Sequence, residues 1–175
     1  MFEAFLNFAG FPDGKPVKNE KEFLQVYGGK SFLNGMYRLF REGDLPKWTA
    51  IVEAAFPAYR GAFFIFGFDW LGRIFAVEKA TGTILLFEPG TGEVLEAPMT
   101  FEEFHDETIA LSPEDCIASE AFEEWRQQNN NYVLSYNECA GYRVPLFLNG
   151  EDEIENMEAS DMEVYWAIMT PLFQM

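Results

Sequence analysis

The stretch from Ala62 to Ala97 decides the fold: AFFIFGF over 62–68, RIFAVE over 73–78, TILLFE over 83–88 and EVLEA over 93–97. Each run is short and rich in β-branched and aromatic residues. Gly61, Asp69–Gly72, Ala80–Gly82 and Pro89–Gly92 punctuate them with turn-forming types. Short strands separated by turn-length links predict an antiparallel meander.

Helices are expected on both sides of this meander. Downstream, Thr100 with Glu103 three residues on has the pattern of a capping box, which turns Phe101, Phe104 and Ile109 toward the sheet. Ser119–Gln128 reads as a helix with Phe122 and Trp125 on its apolar edge, ended by Asn129–Asn131. Tyr142–Leu148 reads as extended around Pro145, and Asn149-Gly150 as a turn. Ser160 or Asp161 caps a last helix whose inner face is Met162, Tyr165, Trp166 and Met169. Upstream, Glu20–Tyr27 is a short helix stopped by Gly28-Gly29. Phe32–Phe40 fits a helix or, after Gly35, a strand. Asp44-Leu45-Pro46 opens a helix with Pro46 near its first position, where the missing N–H costs nothing. Helices flanking a mostly antiparallel central sheet make the class α+β, and 175 residues without a repeat or linker fit one domain, 1–175.

Hydrophobic residues make up 49% and aromatics 17%, enough to build a core and unlike a disordered chain. The longest apolar run, near Gly61–Phe68, is far short of the roughly 20 residues a bilayer-crossing helix needs, so no membrane association is expected. Met1–Ala9 lacks the basic start of a signal peptide. Cys116 and Cys139 do not form a disulfide framework. Both features point to a cytoplasmic protein.

Charge is the most informative bulk property. The net is -17, with 29 acidic and 12 basic side chains. Through Lys79 there are ten basic and nine acidic residues. From Ala80 onward there are two basic, Arg126 and Arg143, against twenty acidic. Such a field repels nucleic acid and anionic lipid and attracts basic partners. The densest stretch is Glu151, Asp152, Glu153, Glu155, Glu158, Asp161 and Glu163, seven carboxylates in thirteen positions, with no Lys or Arg from Val144 to Met175. These seven are the candidate partner-binding residues. The bland reading is a solvated face, with Asp161 and Glu163 favouring a helix dipole.

Motifs for catalysis and cofactors fail on inspection, so no catalytic, cofactor or metal site is assigned. Gly28-Gly29-Lys30-Ser31 ends like a phosphate-binding loop, but the required earlier glycine is Leu24. Gly67–Gly72 has the glycine spacing, yet Arg73-Ile74 stands where Lys-Ser/Thr belongs. Gly90-Thr91-Gly92 lacks the third glycine of a dinucleotide fingerprint. His105 is the single histidine and no Gly-x-Ser-x-Gly elbow accompanies it; beside Asp106 and Glu107 it reads as a solvated helix-surface residue. The two cysteines and one histidine do not complete a zinc set. An EF-hand loop begun at Asn149 or Asp152 puts Ile154 or Met157 where glycine is required. Trp70, Phe75, Trp125 and Trp166 read as structural aromatics.

Together these segments resemble the immunity proteins that guard bacteria against toxins delivered by type VI secretion, particularly the group paired with DNase effectors. The resemblance runs from Phe11-Pro12 through Tyr27-Gly28-Gly29, similar to the start of a GAD-like segment, and through Gly35-Met36-Tyr37-Arg38-Leu39. It continues in Phe66–Ala76, Phe87–Val94, Thr100–His105, Gly141–Leu148, Asn156 and Asp161–Trp166. The chain departs from the family pattern at Asn149-Gly150, where a glycine pair is expected, and its GAD-like part is short. The meander with its Phe-Glu-Glu-Phe helix is also similar in fold to the SUKH-type immunity superfamily. The resemblance implies a helical GAD-like part over 1–60 packed on an immunity-type α+β part over 61–175. It also implies a cytoplasmic protein that binds a cognate toxin, of basic nuclease type, and blocks it. Acidic charge fits that role, because nuclease toxins carry positive charge to hold their substrate. The alternatives are a carboxylate-based hydrolase and a regulatory binding module without a toxin partner. Oligomeric state is left open.

Overall fold

The computed structural model describes residues 1–175. Six strands form one antiparallel sheet in sequence order: β1 (Ser31–Phe32), β2 (Tyr37–Leu39), β3 (Phe63–Asp69), β4 (Ile74–Glu78), β5 (Ile84–Glu88) and β6 (Glu93–Ala97). The four expected runs are thus strands β3–β6. Phe32–Phe40 resolves into the strand alternative, and β2 pairs Tyr37 with Asp69 and Leu39 with Gly67. The class is α+β, with helices on both faces of the sheet.

A bulge in β3 divides the aromatic run between two cores. Ile65 pairs with Ala76 and Gly67 with Phe75, so Phe66 is the extra residue. An extra residue shifts the alternation of side chains by one. Phe63, Ile65 and Phe68 therefore share one core, while Phe66 points to the other.

On one face lie α1 (Glu3–Phe8), α2 (Glu20–Tyr27), the capped turn α4 (Phe101–Glu103) continued by π-helical turns over Phe104–Ile109, α5 (Pro113–Ile117) and α6 (Ser119–Gln128). Thr100 and Glu103 form the expected capping box. On the other face lie α3 (Leu45–Ala55) and α7 (Met162–Phe173), whose Trp48 and Trp166 rings meet edge to face at 6.4 Å. Asp161 caps α7 by accepting from the Val164 N–H. A second sheet of two strands, β7 (Glu138–Tyr142) and β8 (Met157–Asp161), was not expected from sequence. It abuts the β3–β4 turn, where the Ala140 N–H donates to the Trp70 carbonyl at 2.6 Å.

His105 is a correction. It is fully buried, not solvated. Its ring is surrounded by Phe2, Phe5, Phe23, Phe66 and Phe101. Nδ1 lies 2.7 Å from the Phe101 carbonyl, which only accepts, so Nδ1 carries the proton and Nε2 accepts from the Tyr37 hydroxyl at 2.9 Å. Burial lowers its pKa to about 3. The neighbouring Asp106 is also occupied, accepting from the backbone N–H groups of Phe2 and Phe5. Next to Tyr37, the buried Arg38 guanidinium donates to the carbonyls of Ser135, Glu138 and Asp69. The Gly-Met-Tyr-Arg-Leu run thus fastens β2 to the rest of the fold. Trp70, Phe75, Trp125 and Trp166 are all buried.

Candidate docking surface

An acidic cleft of about 710 Å3 lies at the turn end of the sheet. Its floor is Trp70, Leu71 and Arg73, from the turn between β3 and β4. One wall is α5 and α6, presenting Glu114 and Glu124. The other is the loop between β7 and β8, presenting Asp152, Glu153 and Glu155, and Glu88 at the end of β5 completes the rim. Six carboxylates therefore surround one cation. That cation is already neutralised: Arg73 pairs with the buried Asp69 at 2.6 Å and also donates to the Cys116 carbonyl. Burial pushes the Asp69 carboxyl up, with Arg73 opposing the shift. Burial likewise raises Glu88, and Asp69, Asp152 and Glu93 add to the rise against the pull of Arg73. A negative field concentrated in a concave site attracts cationic side chains.

The acidic loop is held in place. Asn156 accepts from the Val144 N–H at 2.9 Å, and its amide donates to the carbonyls of Val144 and Glu151 at 2.8 and 2.9 Å. The Tyr142 hydroxyl donates to Asp152 at 2.6 Å, and the Leu146 N–H bonds to the Gly90 carbonyl. Gly92 seats α7 against the β5–β6 turn: its φ is +72°, and a Cβ there would lie 2.7 Å from Phe173 Cβ. The loop is therefore preorganised, which reduces the ordering cost of binding.

The seven residues singled out from sequence do not form one patch. Asp152, Glu153 and Glu155 line the cleft, and Glu151 is exposed on the same loop. Glu158 pairs with Arg143 at 3.2 Å. Asp161 is the α7 cap, and Glu163 pairs with Lys47 at 2.7 Å. These last two line a separate depression of about 180 Å3, of mixed charge, beside Arg41 and Lys47. Sequence reasoning did not single out Glu88, Glu114 and Glu124. Each lies in a separate segment, Glu114 beside Asp115 and Glu124 beside Glu123, and only the packing of α5 and α6 against the second sheet brings them opposite the loop.

Residues 104–173 match the family described as T6SS immunity protein Tdi1, C-terminal. This C-terminal segment is similar to that immunity family. The match covers both walls of the cleft, while the floor and Glu88 come from the preceding part of the chain. That description names an immunity role, in keeping with a binding protein and not with an enzyme. The crystal structure of Atu4351 from Agrobacterium tumefaciens is similar, with a TM-score of 0.67 and 17% identity over 97% of this chain and 88% of that chain. That likeness shows a shared fold. No curated protein matches the chain. As in the reading from sequence, no helix is long and apolar enough to cross a membrane.

Proposed function

We propose that this type VI immunity protein neutralises a cognate nuclease toxin in the cytoplasm, seating a basic segment of the toxin in the cleft between α6 and the β7–β8 loop. The observation that carries the reading is the six-to-one excess of carboxylates around a concave site whose one cation is already paired. The resemblance to the DNase-paired group supports the choice of a nuclease, because such enzymes present cations to phosphates. Asp152, Glu153 and Glu155 act with Glu88, Glu114 and Glu124 in the cleft. Glu151 and Glu158 extend the field along the rim. Asp161 and Glu163 serve α7 and contribute only to the long-range potential.

The test uses the toxin that co-purifies with this chain, in a catalytically inactivated form. Changing Glu114, Glu124, Glu153 and Glu155 together to Gln slows association, most at low salt, because charges at an interface set the encounter rate. Raising ionic strength narrows the difference from wild type, since the Debye length shortens to ~8 Å at physiological salt. An unchanged association rate at low salt overturns the assignment of the cleft.

A further inference from the structure

The two-stranded sheet has one free edge. Strand β7 is the only strand beside β8. The far side of β7 is taken, since the Ala140 N–H donates to the Trp70 carbonyl and the Tyr142 N–H to the Tyr165 hydroxyl. The register fixes which groups of β8 point outward. Cys139 faces Ser160 and Gly141 faces Glu158. Just beyond the ladder, the Met162 N–H donates to the Asn137 carbonyl and the Arg143 N–H to the Asn156 carbonyl. Hydrogen-bonded pairs alternate along an antiparallel ladder, so Ser160 and Glu158 bond to β7. The N–H and C=O of Ala159, between them, point away from it, as does the N–H of Asp161. Both residues are exposed, and no other segment of the chain bonds to these groups.

This edge begins inside the acidic cleft. Ile154, Glu155 and Met157 line the cleft, and the chain runs on from them as β8. Over residues 151–158 there are five carboxylates, against Arg143, which already pairs with Glu158. At the far end Asp161 enters the mixed depression with Asp44, Glu163, Arg41 and Lys47, and there the acidic bias stops. Proteins protect a free edge with a bulge, a covering segment, proline or charge. Strand β8 pairs without a register shift and contains no proline. Its protection is charge of one sign, which repels a second copy of a chain at -17 and attracts a cationic strand.

We propose that the toxin's basic segment leaves the cleft as an extended strand added to β8, making the second sheet three-stranded. This rests on the reading of the cleft as the toxin's seat and adds how the segment is held. The Ala159 N–H and C=O and the Asp161 N–H bond to the backbone of the added strand, and main-chain bonds of this kind supply affinity with little dependence on sequence. Sequence preference comes from the flanks. Cationic side chains belong at the cleft end, beside Glu155 and Glu158, because opposite charges across a strand pair are stabilising. Toward Asp161, where Arg41 and Lys47 approach, the preference for cations ends. At about 3.3 Å per residue, the contact along β8 spans roughly 17 Å.

Amide hydrogen exchange on the full wild-type chain, free and bound to the inactivated toxin, tests this. Strand addition slows exchange at Ala159 and Asp161 at least about tenfold in the complex. Ala159→Pro removes the outward donor and no bond to β7, a position at which edge strands accept proline. It leaves association at low salt unchanged and speeds dissociation at least about tenfold, because hydrogen bonds lost from an interface act on the off-rate. If this variant folds poorly, exchange on the wild type decides alone. Unprotected amides, in a complex whose association is slowed by the Glu114, Glu124, Glu153 and Glu155 changes, overturn strand addition and leave the cleft standing. Protected amides, in a complex indifferent to those changes, keep the strand and overturn the cleft as its entry. Protection that grows with concentration in the free chain assigns the edge to a second copy and overturns the proposal.

Discussion

The Trp166 indole N–H donates to the Gly72 carbonyl oxygen at 2.8 Å, joining residues 94 apart. Gly72 closes the turn between β3 and β4, so this bond fixes α7 to the meander from inside the core. Two terms then depend on one side chain: burial of a large ring and satisfaction of a buried acceptor. Trp166→Ala is expected to lose about 3–5 kcal/mol or to fail to fold. Trp166→Phe retains most of the ring but orphans the carbonyl, at about 1–3 kcal/mol. Urea denaturation of both variants checks the order, and equal midpoints for wild type and Trp166→Ala contradict it.

His105 makes stability depend on pH. Its folded pKa, about 3, lies below the ordinary value of 6.5. Between those values the unfolded chain binds a proton that the folded chain refuses, so stability falls as pH is lowered from 6.5 toward 3. The steepest contribution is about 1.4 kcal/mol per pH unit. The raised Asp69 and Glu88 act in the opposite direction, since the folded chain takes up their protons first as pH falls. Comparing wild type with His105→Gln isolates the histidine. The variant is less stable at pH 7 but shows a shallower decline between pH 6.5 and 5. Parallel declines for the two proteins would contradict this assignment.

Asn156 holds the acidic loop by three side-chain hydrogen bonds. Asn156→Ala removes them without touching any carboxylate. A loss of about 1–3 kcal/mol is expected, with faster hydrogen exchange at the Val144 amide. If the cleft receives the toxin, this variant also binds it more weakly while its net charge is unchanged.

Gly141 in β7 faces the Tyr165 ring, and a Cβ there would lie 2.6 Å from Cδ2. The ring cannot withdraw easily, because its hydroxyl accepts from the Tyr142 N–H and its body is buried. Gly141→Ala should cost about 1–3 kcal/mol through overpacking. A thermal melt at the wild-type temperature would show that α7 can shift to make room.

The meander was legible because its residues carry the local preferences of strands and its turns carry glycine. The second sheet was not. Glu138-Cys-Ala-Gly-Tyr142 and Met157-Glu-Ala-Ser-Asp161 hold few β-branched residues, and their pairing is selected by contacts of Tyr142 and Tyr165 with distant segments. His105 misled for a related reason. Its acidic neighbours suggest solvent, but Asp106 is bound to the backbone of residues 2 and 5. Sequence could locate the acidic loop by composition. It could not separate Asp152 from Asp161, which face different surroundings because β8 carries the chain from the cleft to the start of α7.

The order of synthesis gives the long-range bonds a further consequence. Phe2 and Phe5 wait for Asp106, Tyr37 for His105, Trp70 for the carbonyl of Ile117, and Gly72 for Trp166. A six-residue helix such as α1 does not persist alone. A nascent chain stalled on the ribosome before residue 106 thus lacks the partners that lock its first helix and both cores. Contacts this distant in sequence also slow folding. If the chain neutralises a toxin as proposed, that protection is supplied by finished molecules already in stock, and a cell that begins translating the protein only after attack gains it late.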